Sequence, residues 1–155
     1  MIKDKYVKSF VIHNPGDLRI NKVSFLVEKT RISSGVFLKK TRAPYGANVF
    51  YYLNDQKISK DVYEVALEEK DNSFSSLKKI TDVFYSNNSQ MRIDYYLKPR
   101  FGLVLLKTQE ENDIPNFLEI VKEVTHDLSY QEKFILNDHV DFSVKNLTHS
   151  ILPPA

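Results

Sequence analysis

MRIDYYL at residues 91–97, the link KPRFG at 98–102 and LVLLKTQ at 103–109 form the stretch that decides the fold. Polar and apolar residues alternate through both arms around Pro99 and Gly102, the pattern of two antiparallel strands joined by a tight connection. One face of this hairpin collects Arg92, Asp94, Lys107 and Gln109. From pattern alone such a face is a solvated sheet surface. Charged groups that instead lined an interior would need a purpose there.

The same period extends upstream. Leu77 to Tyr85 reads as a strand, as do Lys5 to Ile12, Arg19 to Ile32, Val36 to Thr41 and Asn48 to Leu53. The long second segment keeps Val23, Phe25 and Val27 in phase with Lys29 and Arg31. Turn clusters punctuate these runs at 13–17, at Ser33-Ser34-Gly35 and at Pro44-Tyr45-Gly46. The period changes between Ile58 and Glu69, where Ile58, Val62, Val65 and Ala66 fall at helical spacing behind Ser59 as cap. Downstream, Ile114 to Val121 carries Pro115 in its first turn and predicts a short helix. Ser129-Tyr130-Gln131-Glu132 has the form of a capping box ahead of Phe134 and Ile135, which predicts another. Val140, Phe142 and Val144 alternate once more. Sequential antiparallel strands of this kind bury their faces either as a sandwich or as a barrel, and the pattern leaves both open.

At 155 residues the chain fits one domain, 1–155, with 147–155 expected to fray as a tail. A formal charge of +2 places no demand for nucleic acid or membrane, so attraction to an anion has to come from where charges sit. The absence of cysteine excludes disulfides, thiolate metal sites and cysteine nucleophiles. The first residues carry no signal-type apolar segment and the longest apolar run, Leu103 to Leu106, cannot span a bilayer, so a cytoplasmic location is expected. His13, His126, His139 and His149 show no metal-site spacing, and neither a GxSxG elbow nor a glycine-rich phosphate loop is present.

In order and spacing, several segments resemble the CYTH superfamily, the triphosphate tunnel metalloenzymes. KYVKSFVI at 5–12 is similar to that family's opening EIERKFLV strand, RINKVSFL at 19–26 to RIxQxYL, and KTRI at 29–32 to RxRI. FLKKT at 37–41 is similar to YLTIK, the 91–109 hairpin to LTxEVDxF and GLVxAExE, and EVTHDLSY at 123–130 to EVTxDxxY. The resemblance implies an α+β fold, an eight-stranded antiparallel β-barrel forming a tunnel with a few flanking helices. It also implies basic side chains that grip a triphosphate and glutamates that hold a divalent metal, since cations must neutralise the phosphate oxygens before a nucleophile can approach.

The sequence departs from the family at the metal. The carboxylates of ExExK fall on Lys5 and Val7 and its lysine on Ser9; those of the later ExE fall on Lys107 and Gln109. The glutamate of ExD falls on Arg92, and positions near Val49 and Tyr51 are apolar or aromatic as well. Asp94 alone keeps a carboxylate and is the only candidate metal ligand, too little for an oxygen-rich magnesium site, so no cofactor is expected. The basic side persists. Lys5, Lys29, Arg31, Lys39, Lys78, Arg92 and Lys107 are the expected anion-binding residues facing Asp94, with Ile80 where a tunnel arginine usually stands.

Three functions follow from that interior. The first is metal-independent binding of a phosphate-rich or otherwise polyanionic, triphosphate-like ligand. The second is a scaffold that binds a protein partner through exposed Tyr51, Tyr52, Tyr95 and Tyr96, its interior filled by Val7, Val49, Tyr51 and Ile80. The third is residual triphosphatase or cyclase-like chemistry using Asp94 with Glu28 or Glu110. No catalytic residue is assigned.

Overall fold

The computed structural model describes residues 6–33, 35–43, 48–73, 76–109 and 114–132. The alternating segments pair as one nine-stranded antiparallel sheet in the order β5-β4-β3-β2-β6-β7-β8-β1-β9. Its strands are β1 (Lys8–Ile12), β2 (Val23–Arg31), β3 (Phe37–Arg42), β4 (Val49–Leu53) and β5 (Gln56–Ile58), then β6 (Leu77–Ser86), β7 (Ser89–Lys98), β8 (Val104–Thr108) and β9 (Ile120–Glu123). The hairpin of residues 91–109 forms as expected, with Arg92 opposite Lys107 and Asp94 opposite Leu105. Gly102 takes φ 96° in the connection, a conformation that L side chains avoid. Asn54-Asp55 and Asn87-Asn88 make two-residue turns with positive φ throughout, the geometry that matches the twist of flanking strands.

The expected closed eight-stranded barrel is corrected to an open, curled sheet. β5 covers the outer edge of β4 and β9 that of β1, so neither β4 nor β1 is left with an edge for the other to bond. The curl is still strong: Tyr6, just before β1, and Phe50 and Tyr52 of β4 border one cavity on the concave face.

Three apolar clusters hold this shape. On the convex face Leu38 and Ile32 pack beneath Tyr63 of α1 (Lys60–Leu67), with Tyr51 4.8 Å from the Tyr63 ring. Ser59 caps that helix by accepting from the Val62 amide, as its sequence position suggests. Also on the convex face, Phe10, Phe84, Ile93 and Leu106 pack with Leu18 and Leu118 from the loops. The third cluster is on the concave face, where Val11, Leu77, Tyr96 and Leu105 pack against Leu103 and Val124 with Phe37 and Tyr130 beside them. It fills one end of the concavity.

The expected helix at Ile114 to Val121 is not formed. A turn closed by the Leu118 amide on the Pro115 carbonyl leads into β9, where Ile120 and Lys122 pair with Ile12 and Val11. The exposed edge of β1 offers the β-branched Ile120 and Val121 a ladder, which outweighs a weak helical spacing. Ahead of the expected capping box Asp127 caps a short 3-10 turn at Leu128–Tyr130, and the box's Glu132 side chain bonds Lys29 and Lys79 instead. Phe134, Ile135, Val140, Phe142, Val144 and the 147–155 tail lie outside the described residues, as do Lys5, Glu110, His139 and His149. Among the described residues no helix is long and apolar enough to cross a membrane.

Candidate anion-binding site

Strand phase decides which charges face the concavity. Phe25, Val27 and Lys29 of β2 lie beside Lys39 and Thr41 of β3 and Thr81 and Val83 of β6 along one cavity of about 460 Å³. Arg92 and Gln90 of β7 complete its wall with Lys79. A second cavity of about 370 Å³ adjoins it across Lys29 and Lys39 and is bordered by Asn54, Asp55 and Glu132.

The inward lysine of β6 is therefore Lys79 and not Lys78. Lys78 points to the convex side, where its Nζ lies 3.2 Å from Glu28 and it borders a groove under α1 with Tyr63. Lys79 sits opposite Val27 and Tyr96, and the strand slips register between Lys78 and Lys79. Counting from the family pattern places the lysine one residue early, and with period two that error moves the side chain to the other face. Ile80 accordingly points outward and Thr81 stands in its place.

Of the other expected anion-binding residues, Lys29, Lys39, Arg92 and Lys107 share the concave phase. Arg31 follows Lys29 in phase but sits at the β2–β3 turn, with its guanidinium beside Gly35, and borders neither cavity. Lys29 lies directly opposite Lys39, and Arg92 directly opposite Lys107. Like charges in direct cross-strand register are destabilising unless something between them supplies negative charge.

Two carboxylates do so in part. Asp94 is fully buried; its Oδ1 accepts from the Thr81 hydroxyl at 2.7 Å, and its Oδ2 lies 3.2 Å from Lys79 Nζ and 3.1 Å from an Arg92 nitrogen. Burial opposes its ionisation, but Lys79 and Arg92 outweigh that and hold its carboxyl below the ordinary value. Glu132 is the residue that sequence reasoning missed. It follows the 3-10 turn, and instead of reaching back to a helix cap it turns into the concavity to accept from Lys29 and Lys79, with the Tyr96 hydroxyl donating at 2.9 Å. Charge-assisted bonds to two ammonium groups are stronger than a cap to a backbone amide. Burial again opposes ionisation, and Lys79 and Lys29 hold the Glu132 carboxyl well below the usual range. Tyr96 is pushed the other way, well above its ordinary value, by burial and by these two carboxylates.

Lys39 and Lys107 are left over. Among the described residues neither has a carboxylate in ion-pair contact. Lys39 lies 4.8 Å over the Tyr52 ring. Burial first, and then Lys29 or Arg92, lowers the pKa of each. A lysine whose folded value lies below its ordinary 10.5 binds fewer protons folded than unfolded between the two, so stability rises with pH through that window. An anion seated beside Lys39 favours the charged form and reverses this. Calorimetry of anion binding in buffers of different ionisation enthalpy is therefore expected to show proton uptake at alkaline pH below 10.5, with smaller uptake at neutral pH.

The donor set does not fit the divalent metal that the family resemblance implies. Both Asp94 oxygens are taken, and the Lys79 and Arg92 cations stand where a second positive charge would have to sit. Val7 is half exposed, Val49 and Tyr51 belong to the convex phase, and Lys107 and Gln109 continue the concave one. Among the described residues no group of three or more His, Asp or Glu is placed to hold a metal ion. The tyrosines expected to be exposed are not: Tyr96 is buried, Tyr95 half-buried, Tyr51 packs on Tyr63 and Tyr52 borders the cavity. Glu28 is held outside by Lys78.

Cations thus line the concave face of a curled antiparallel sheet. Comparison with solved structures bears on the same fold: the crystal structure of the inorganic triphosphatase NE1496 matches with a TM-score of 0.53 at 15% identity, over 84% of this chain and 96% of that one. A second crystal structure of NE1496, described as a hypothetical protein, matches with a TM-score of 0.54 at 15% identity, over 86% of this chain and 97% of that one. No protein-family model and no curated protein matches the chain. At this identity the likeness shows the fold alone.

Proposed function

We propose that the concave face is a metal-independent binding site for a phosphate-bearing or other small polyanionic ligand. The observation that carries this reading is the pair of like-charged registers, Lys29 opposite Lys39 and Arg92 opposite Lys107, around Lys79. Asp94 and Glu132 neutralise only part of that charge. Arg92 supplies a planar donor set, and its buried Nε has no hydrogen-bond partner among the described residues; the lysines supply point charges. Glu132 acts as an internal counter-ion that a stronger anion displaces from Lys29 and Lys79. The similar structure named as an inorganic triphosphatase supports a phosphate ligand, and the occupied oxygens of Asp94 support binding without a metal.

Titration calorimetry with inorganic tripolyphosphate, with and without chelator, tests this. Binding is expected at low salt, unchanged by chelator and weakened as ionic strength rises. No binding at low salt, or binding that needs a divalent metal, overturns it. Release of phosphate in the presence of magnesium, abolished in Asp94→Ala, would replace it by a hydrolase.

A further inference from the structure

The larger cavity has two chemically different ends. Lys29 and Lys39 stand at one; toward the other lie Phe25, Phe50 and Val83, with the rings of Tyr6 and Tyr52 at the sides. Thr41, Thr81 and Gln90 lie among them, and Val27 stands opposite Lys79 and Val83 opposite Arg92. Charged oxygens pressed against Phe25, Phe50 and Val83 would lose water with few donors to replace it. A chain of phosphates running the length of the cavity would meet that penalty at every unit beyond the cation cluster.

The charge available is also small. With Glu132 seated on Lys29 and Lys79, and Asp94 on Lys79 and Arg92, Lys39 is the cavity-lining cation without a carboxylate in ion-pair contact among the described residues. That suits one compact acidic head. The aromatic side chains suit what is attached to it: Lys39 and Arg92 already lie on the Tyr52 and Tyr6 rings, at 4.8 and 5.0 Å, so the head group's cations and the ring wall are continuous. About 460 Å³ is ample for a bicyclic ring with one phosphate and falls in the range of small-molecule sites.

Resting on the anion-binding reading above, we infer that the ligand is an aromatic organic anion with a single compact head, its ring lying against Phe25, Phe50 and Val83 and its head at Lys39. The ring adds binding free energy that inorganic anions lack, since burying a Phe-sized apolar group is worth roughly a tenfold to hundredfold gain in affinity.

The test compares 1-naphthyl phosphate, inorganic phosphate and tripolyphosphate on the full chain by calorimetry. The expected result is that naphthyl phosphate binds at least about tenfold more tightly than inorganic phosphate. Phe50→Ala, at the partly exposed end of β4, is expected to remove most of that advantage. Naphthyl phosphate binding no more tightly than inorganic phosphate, while tripolyphosphate binds, overturns the aromatic ligand and leaves the basic site standing. If none of the three binds, the anion-binding reading falls with it. If Phe50→Ala fails to fold, the wild-type comparison still decides, and Phe50→Leu repeats the arm with side-chain volume kept closer.

Discussion

Glu132→Gln is expected to bind tripolyphosphate at least about tenfold more tightly than the wild-type chain while being less stable without ligand. The carboxylate now occupies the space between Lys29 and Lys79 and repels any anion that approaches them. Its amide keeps an acceptor for one ammonium group but no charge. Two cations would then face each other with less compensation, at a loss of about 2–4 kcal/mol, because Lys79 is almost fully buried and Lys29 only about a quarter exposed. Added tripolyphosphate should restore that stability by mass action, which makes the melting temperature of the variant more ligand-dependent than the wild type's.

The pH dependence should change with it. Glu132 and Asp94 both ionise more readily folded than unfolded, so their contribution is present above their ordinary 4.5 and 3.8 and is lost as pH falls through the depressed folded values. Denaturant midpoints measured across acid pH should therefore fall less steeply in Glu132→Gln. A variant with lower tripolyphosphate affinity would mean that Glu132 positions the lysines for ligand and does not compete with it.

The second large effect concerns Lys79. Its Nζ joins Asp94 to Glu132, and its side chain is 4% exposed. Lys79→Met leaves two buried carboxylates short of a counter-charge, an expected loss of about 3–5 kcal/mol at neutral pH. The loss should shrink toward acid pH, where protonation removes the uncompensated charge. Combining it with Glu132→Gln should be less destabilising than the sum of the two, because the double variant removes a charge of each sign. Lys78→Met is the control. It sits on the convex side with Glu28, 40% exposed, and should change stability by less than about 1 kcal/mol and leave anion affinity untouched. If Lys78→Met were the damaging change and Lys79→Met the silent one, the strand would face the other way.

That contrast marks what was legible in the sequence. Alternation placed most strands within a residue or two and put Arg92, Asp94 and Lys107 on one face, because period two in a half-buried sheet is a strong signal, while the family resemblance implied that Lys29 and Lys39 share it. It could not place Lys78 against Lys79: the two lysines are adjacent, and a register slip there carries no mark in composition. Openness of the sheet was not legible either, since closure depends on whether β5 and β9 occupy the outer edges, which short strands of three and four residues do not announce. Glu132 was hidden by a local rule. Its spacing from Ser129 fits a helix cap, and only tertiary structure brings Lys29, from a strand about a hundred residues earlier, within its reach.

The place of β1 has a consequence for how the molecule is made. It lies between β8 and β9, with Ser9 beside Lys107 and Phe10 beside Glu123, whereas β2 to β5 and β6 to β8 pair with near neighbours in the chain. The local meanders close cheaply and early, but β1 must wait for partners synthesised about a hundred residues later, roughly 5–20 s at typical translation rates. Throughout that interval Ser9-Phe10-Val11-Ile12 is an unpaired apolar strand with both edges open. β1 leaves the ribosome before the strands it pairs with, so the nascent chain is most prone to aggregation before the concave face has its final wall.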